Sequence, residues 1–71
     1  MKLYRNTESD RIMTEHEVYE GFLRFCGDPD DVEELEEATR EYNAKLGQDV
    51  SMFEMFLMWE ISACNLQEVD A

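Results

Sequence analysis

The chain has 71 residues, of which 44% are hydrophobic, and a formal net charge of −12 at pH 7. This length predicts a single domain over residues 1–71, and the apolar content is too high for a disordered tail. A strongly negative field repels nucleic acids and anionic membranes and attracts basic surfaces. Direct binding to a nucleic acid or to a membrane is therefore not expected.

Two further features bear on localisation. The opening "MKLYRNTESD" lacks the apolar run of a signal peptide, and no stretch approaches the ~18 apolar residues of a membrane span. We therefore expect a soluble, cytoplasmic protein. In a reducing compartment Cys26 and Cys64 are expected to be buried free thiols rather than a disulfide.

The first predicted element is a short β-hairpin at about residues 2–14. Its centre, "NTESD", consists of residues whose side chains favour turns by bonding to their own backbone. A hairpin alone is unstable in water, so it must lay apolar side chains on the rest of the protein. The alternation leaves two candidate pairs for this role, which are Tyr4 with Ile12 and Leu3 with Met13.

The next pattern predicts a helix over about residues 15–26. Thr14 and Glu17 match a capping box, in which each side chain satisfies an unpaired backbone N–H group. Gly27 is expected to supply the left-handed residue that ends the helix. Two adjacent apolar stripes predict a broad buried face, and they consist of Val18, Phe22 and Phe25 and of Tyr19, Leu23 and Cys26.

A second helix is predicted over residues 29–46. Asp28 is suited to cap it, Pro29 suits the first helical position, and Gly47 suits its end. The apolar stripe of this helix is narrow, so most of its surface faces water. The stripe consists of Val32, Leu35, Ala38 or Thr39, Tyr42 and Leu46.

A third helix is predicted over about residues 51–64, where Ser51 and Glu54 form another capping box. The run "MFEMFLMWEISAC" is apolar on every side, so this helix must be surrounded. Either it lies centrally against the hairpin and both other helices, or it pairs with a second copy of itself. The end, "NLQEVDA", is predicted to be a short frayed tail. The fold class is thus mainly α (α+β), with a short N-terminal β-hairpin followed by three helices in a small compact bundle.

The second helix is unusually acidic, because "DDVEELEE" places six carboxylates in residues 30–37. Part of this pattern is ordinary, since acids near a helix start are stabilised by the macrodipole. Glu36 with Arg40 and Glu41 with Lys45 also stand four apart in the favourable order. A solvated acidic face with no specific partner is therefore one interpretation.

Like-charged neighbours favour a different interpretation. Three pairs stand four apart, each costing an isolated helix roughly 0.2–0.5 kcal/mol. These pairs are Asp30 with Glu34, Glu33 with Glu37, and Glu37 with Glu41. A domain of ordinary stability tolerates this loss of stabilising free energy. Like-charged side chains that are kept despite their repulsion suggest that the charges have a use.

Geometry indicates what that use is. Asp30, Glu34, Glu37 and Glu41 follow one helix edge for ~16 Å, and a DNA strand presents a phosphate every ~3.4 Å. The predicted partner is a basic protein or nucleoprotein complex, contacted at its nucleic-acid-binding groove. The predicted partner-binding residues are Asp30, Asp31, Glu33, Glu34, Glu36, Glu37 and Glu41.

The chain combines a small size, a strong negative charge, this carboxylate row and the hairpin-then-helix opening "LYRNTESDRIMTEHEV". In these features it resembles the small acidic inhibitor proteins of phages and mobile elements. Those proteins block restriction or CRISPR effectors by imitating DNA. The resemblance implies an anti-CRISPR or anti-restriction function in the host cytoplasm. It assigns no role to any individual residue.

The third helix supports an alternative function. Met52, Met55 and Met58 recur every third residue, and such flexible side chains suit either a core or an adaptable surface. If exposed, they would form a homodimer or dock on another protein, with the acids providing solubility alone. The alternative apolar interface consists of Met52, Met55, Phe56, Met58 and Trp59.

Catalysis and metal binding find little support in the sequence. His16 is the single histidine, which is a poor basis for a transition-metal site. The acidic run also lacks the spaced oxygens and central glycine of a calcium loop. No nucleophile stands beside an evident base, so we expect neither an enzyme nor a cofactor.

Overall fold

The computed structural model describes residues 2–70. The chain runs through β1 (Lys2–Asn6), β2 (Ile12–Thr14), α1 (Glu15–Phe25), α2 (Pro29–Leu46), α3 (Met52–Ser62) and β3 (Leu66–Asp70). This confirms the predicted α+β class with a hairpin and three helices, and adds a third strand. Within residues 2–70, no helix has both the length and the apolar character needed to cross a membrane.

The third strand overturns the prediction of a frayed C-terminal tail. The sheet is antiparallel in the order β2-β1-β3, with β1 in the centre, and its register joins Asn6 to Leu66 at one end. Leu66 is only 6% exposed and belongs to the core. The segment is ordered because it meets the free edge of β1 and carries a side chain that the core accepts.

The hairpin occupies the predicted residues and turns as predicted. The Asn6 side-chain oxygen accepts hydrogen bonds from the backbone N–H groups of Glu8 and Ser9, at 2.9 and 3.1 Å. Asp10 takes a left-handed conformation with φ of 61°. The turn residues therefore act through the local bonds expected of their types.

The register of the hairpin corrects both predicted apolar pairs. Tyr4 lies opposite Met13, and residues directly opposite in an antiparallel pair share a face. Tyr4 is buried and Met13 packs against the core, whereas Ile12 is 48% exposed. Burial raises the pKa of the Tyr4 phenol, and the nearby carboxylates of Glu15 and Glu68 raise it further.

Capping boxes begin α1 and α3 as predicted. Thr14 and Glu17 exchange the two expected hydrogen bonds at the start of α1, and Ser51 and Glu54 do so before α3. The hydrogen bond donated by the Thr14 backbone N–H is the main cause that lowers the pKa of Glu17. Both helix starts are thus fixed by residues within four positions.

The buried face of α1 is narrower than predicted. Val18 and Phe22 are buried, whereas Tyr19 and Leu23 of the second stripe are 41% and 52% exposed. Tyr19 still contacts the rim of the core, with its ring centroid 5.1 Å from that of Phe53. Helix α1 packs against β1, β2 and α3, and of its second stripe only Cys26 packs against the core.

The end of α1 also differs from the prediction. The helix stops at Phe25, Cys26 is right-handed with φ of −69°, and Gly27 does not take the left-handed conformation. The Gly27 N–H group instead donates to the carbonyl of Arg24 at 3.1 Å. This tight turn passes directly into the Asp28 cap of α2 and needs no left-handed residue.

The third helix lies against both other helices, as one of the two predicted alternatives requires, but its main contact with the sheet is with β3 instead of the predicted hairpin. It packs against α1, α2 and β3, and it buries Met55 and Phe56. It spans Met52–Ser62 and is shorter than predicted, because left-handed Cys64, with φ of 63°, reverses the chain toward β3. Cys26 and Cys64 are free, but they are half-buried and exposed, so the prediction of buried thiols is wrong.

The core draws on two strands and all three helices. Its buried apolar residues are Tyr4, Val18, Phe22, Leu35, Met55, Phe56 and Leu66. Leu35 is the most deeply placed, with no exposed surface. The helix that carries the carboxylates is therefore anchored at the centre of the protein.

Candidate acidic interface

The acidic helix α2 is held in one orientation by its buried face. Leu35 is fully enclosed, and the Thr39 hydroxyl donates to the Leu35 carbonyl at 2.7 Å. Asp28 caps the start of the helix, and left-handed Gly47, with φ of 62°, ends it as predicted. Rotation about the helix axis would expose Leu35, so the outer face of α2 is fixed as well.

Most of the predicted binding carboxylates lie on that outer face. Asp31 is half-buried and turned toward the core side of the helix. The remaining six are exposed, namely Asp30, Glu33, Glu34, Glu36, Glu37 and Glu41. The structure therefore brings together six of the seven residues on one solvent-facing surface.

These six side chains divide into two flanks. At about 100° per residue, Asp30, Glu34, Glu37 and Glu41 fall within about 60° of one another, and we call these four the acidic row. Glu33 and Glu36 lie on the other flank. The two flanks differ in how their charge is compensated.

Arg40 neutralises part of the second flank. Its Nη2 lies 3.3 Å from Oε1 of Glu36, in the predicted i,i+4 pair. The other pair expected on this helix, Glu41 with Lys45, is not among the ion pairs that the structure shows for residues 2–70. None of the ion pairs that the structure shows for residues 2–70 involves a member of the acidic row.

A groove runs beside the acidic row, between α2 and α3. The larger part holds about 680 Å³ and is lined by Tyr42, Met55 and Trp59, with Glu41 and Lys45 at its rim. The smaller part holds about 410 Å³ and is lined by Glu34, Trp59 and Glu60 together with Ser62 and Ala63. Trp59 lines both parts.

The loop between α2 and α3 is pinned by one side chain. Asn43 donates from Nδ2 to the Val50 carbonyl at 3.1 Å, and its Oδ1 accepts from the Val50 N–H group at 2.9 Å. This double hydrogen bond ties the last turn of α2 to the residue that precedes the Ser51 cap. The relative position of the two helices, and so the width of the groove, is fixed at this end.

The residues of the alternative apolar interface do not form one open face. Met55 and Phe56 are in the core, and Met52, Met58 and Trp59 are half-buried. What the sequence did not indicate is that Trp59 lies beside the acidic row. No local pattern carries this signal, because the contact depends on how α2 and α3 pack.

The two weaker candidates from the sequence are His16 and a metal-binding site. His16 Nε2 lies 3.1 Å from Oε1 of Glu20, and both side chains are exposed. Over the described residues 2–70, no group of three or more His, Cys, Asp or Glu side chains is arranged to hold a metal ion. The acidic row and its neighbouring groove are the most developed surface feature.

Comparison of the chain with protein-family models, with curated proteins and with solved structures finds no significant match.

Proposed function

We propose that this protein binds and inhibits a basic, nucleic-acid-binding partner by presenting the acidic row in place of nucleic-acid phosphates. The observation that carries the proposal is a line of four exposed carboxylates on a fixed helix. They are compensated by no ion pair among residues 2–70, whereas Arg40 is engaged with Glu36 on the other flank. A helix shaped only for solubility has no need of this separation.

Spacing supports the same proposal. The row spans ~16 Å at 1.5 Å per residue, a distance over which a DNA strand presents about five phosphates. Arginine and lysine side chains that normally contact those phosphates find carboxylates at a similar density. The net charge of −12 adds long-range attraction that speeds the encounter.

The acidic row is rigid, which helps it to compete with a nucleic acid for the partner. Binding costs less when the contacting groups are already ordered, and α2 is anchored by Leu35 and closed at both ends. In this proposal the protein inhibits by occupying the groove and performs no reaction of its own. The proposed setting is the host cytoplasm, and the proposed activity is of the anti-CRISPR or anti-restriction kind.

Affinity capture tests this function. The immobilised protein is incubated with lysate of a candidate host, and bound proteins are eluted at ~0.1 M salt with duplex DNA, then at ~1 M salt, where the screening length falls to ~3 Å. We expect a nucleic-acid-binding protein in the DNA eluate. Partners that stay bound through both the DNA elution and the high-salt elution would instead mean that apolar contacts, and not the acidic row, form the interface.

A further inference from the structure

We infer that the groove between α2 and α3 receives an arginine side chain of the basic partner, stacked on Trp59 and flanked by the carboxylates of Glu34 and Glu41. This inference rests on the proposed function and adds to it a specific anchor point. The acidic row alone offers distributed charge. The groove adds apolar and aromatic contacts at one place beside the row.

The chemistry of the lining matches a guanidinium group. Trp59 is half-buried and lines both parts of the groove, and a planar cation stacks favourably on an indole ring. Tyr42, Ala38 and Ala44 provide apolar surface for the aliphatic stem of the bound side chain. The volume of about 680 Å³ is largely open to solvent, so a side chain can enter it from the surface.

The charge around the groove determines which kind of partner side chain binds there favourably. Glu34, Glu41 and Glu60 border the two parts of the groove, against Lys45 alone. The balance is negative, so a cationic guest is favoured over a neutral or anionic one. Lysine carries the same charge, but its compact ammonium lacks the flat surface that stacks on indole.

Trp59 is the single tryptophan, so its fluorescence reports on this groove directly. The probe is a flexible peptide of arginine and serine, titrated at ~0.1 M salt, with a lysine and serine peptide beside it. We expect a saturable change in Trp59 emission with the arginine peptide. The lysine peptide should bind more weakly and change the emission less.

Two double variants with equal charge separate the groove from general attraction. Glu34→Gln with Glu41→Gln removes the rim carboxylates, and should weaken the arginine peptide about fivefold to tenfold, as for the loss of two partly exposed charge pairs. Glu8→Gln with Asp49→Asn removes two exposed carboxylates outside α2 and away from the groove. This control should weaken binding by less than about twofold.

Each outcome has one meaning. Equal losses in the two double variants, an unchanged Trp59 emission on binding, or equal behaviour of the lysine peptide would overturn the groove inference and leave the proposed function standing. Failure of the wild-type protein to bind either peptide would overturn both, because a protein directed at basic grooves must bind arginine-rich chains at low salt.

Discussion

Replacing Glu34, Glu37 and Glu41 together with lysine is expected to reduce partner affinity by at least about 100-fold. Each reversal removes an attraction of about 1 kcal/mol at contact distance in a water-like medium, and three such losses correspond to roughly two decades in the dissociation constant. The repulsion that replaces each attraction adds to the loss. Affinity is measured by titration against the captured partner at fixed ionic strength.

The triple variant should keep its fold. The three side chains are exposed, and the ion pairs of residues 2–70 do not include them. Two of the three like-charged i,i+4 pairs become attractive, while the lysine at position 41 then repels Lys45, so the melting temperature should change little. Circular dichroism with thermal melting checks this.

A matched control separates position from charge. Replacing Glu8, Glu20 and Asp49 with lysine makes the same change in net charge at exposed sites outside α2. This control should lose only the long-range part of the attraction, about tenfold or less at physiological salt. Equal losses in both triple variants would show that only net charge matters and that the acidic row has no special role.

Deleting residues 66–71 is expected to unfold the protein. The deletion removes β3, which pairs with β1 along five residues, and removes Leu66 from the core. Burial of one leucine contributes roughly 1.5–3 kcal/mol, and each lost backbone hydrogen bond about 0.5–1.5 kcal/mol. A domain of this size has on the order of 5 kcal/mol to lose.

Two point variants sharpen this test. Leu66→Ala should cost about 2–4 kcal/mol in urea unfolding, as for other leucines removed from a core. Glu68→Ala, at an exposed position two residues further along the same strand, should change stability by less than about 0.5 kcal/mol, because its ion pair with Lys2 is long and exposed. A truncated protein that melts like the full chain would restore the view of a frayed tail.

Local signals in the sequence predicted most of the helical structure. Thr14 with Glu17 and Ser51 with Glu54 begin their helices as expected, and Gly47 ends α2. Each of these signals acts within a few residues of the chain. Short-range hydrogen bonds decide such positions, so a single sequence contains enough information.

The structural features that depend on contacts between distant residues were not predicted from the sequence. "NLQEVDA" carries Leu66 and Val69 three apart, which is not the alternation of a strand, and β3 forms because β1 offers an edge. The pairing of Tyr4 with Met13 is likewise set by register. Competition between possible pairings is resolved by the whole fold.

The candidate site was likewise predictable from the sequence only where helical periodicity decides the position of a residue. The acidic row follows from helical periodicity, and the exposure of its four members agrees with that periodicity. The half-buried position of Asp31 follows from it too, since 31 and 35 are four apart on a helix whose centre is Leu35. The position of Trp59 beside the row required the packing of α2 on α3.

The central claim is that this protein occupies the nucleic-acid site of its partner, and displacement of DNA tests it most directly. The captured partner is loaded with a fluorescent duplex, and anisotropy is followed as this protein is added. We expect full release of the duplex, with an apparent affinity that falls as duplex concentration rises. A ternary complex that keeps its anisotropy while binding this protein would show that the two ligands occupy different sites and that the protein does not act by imitating DNA.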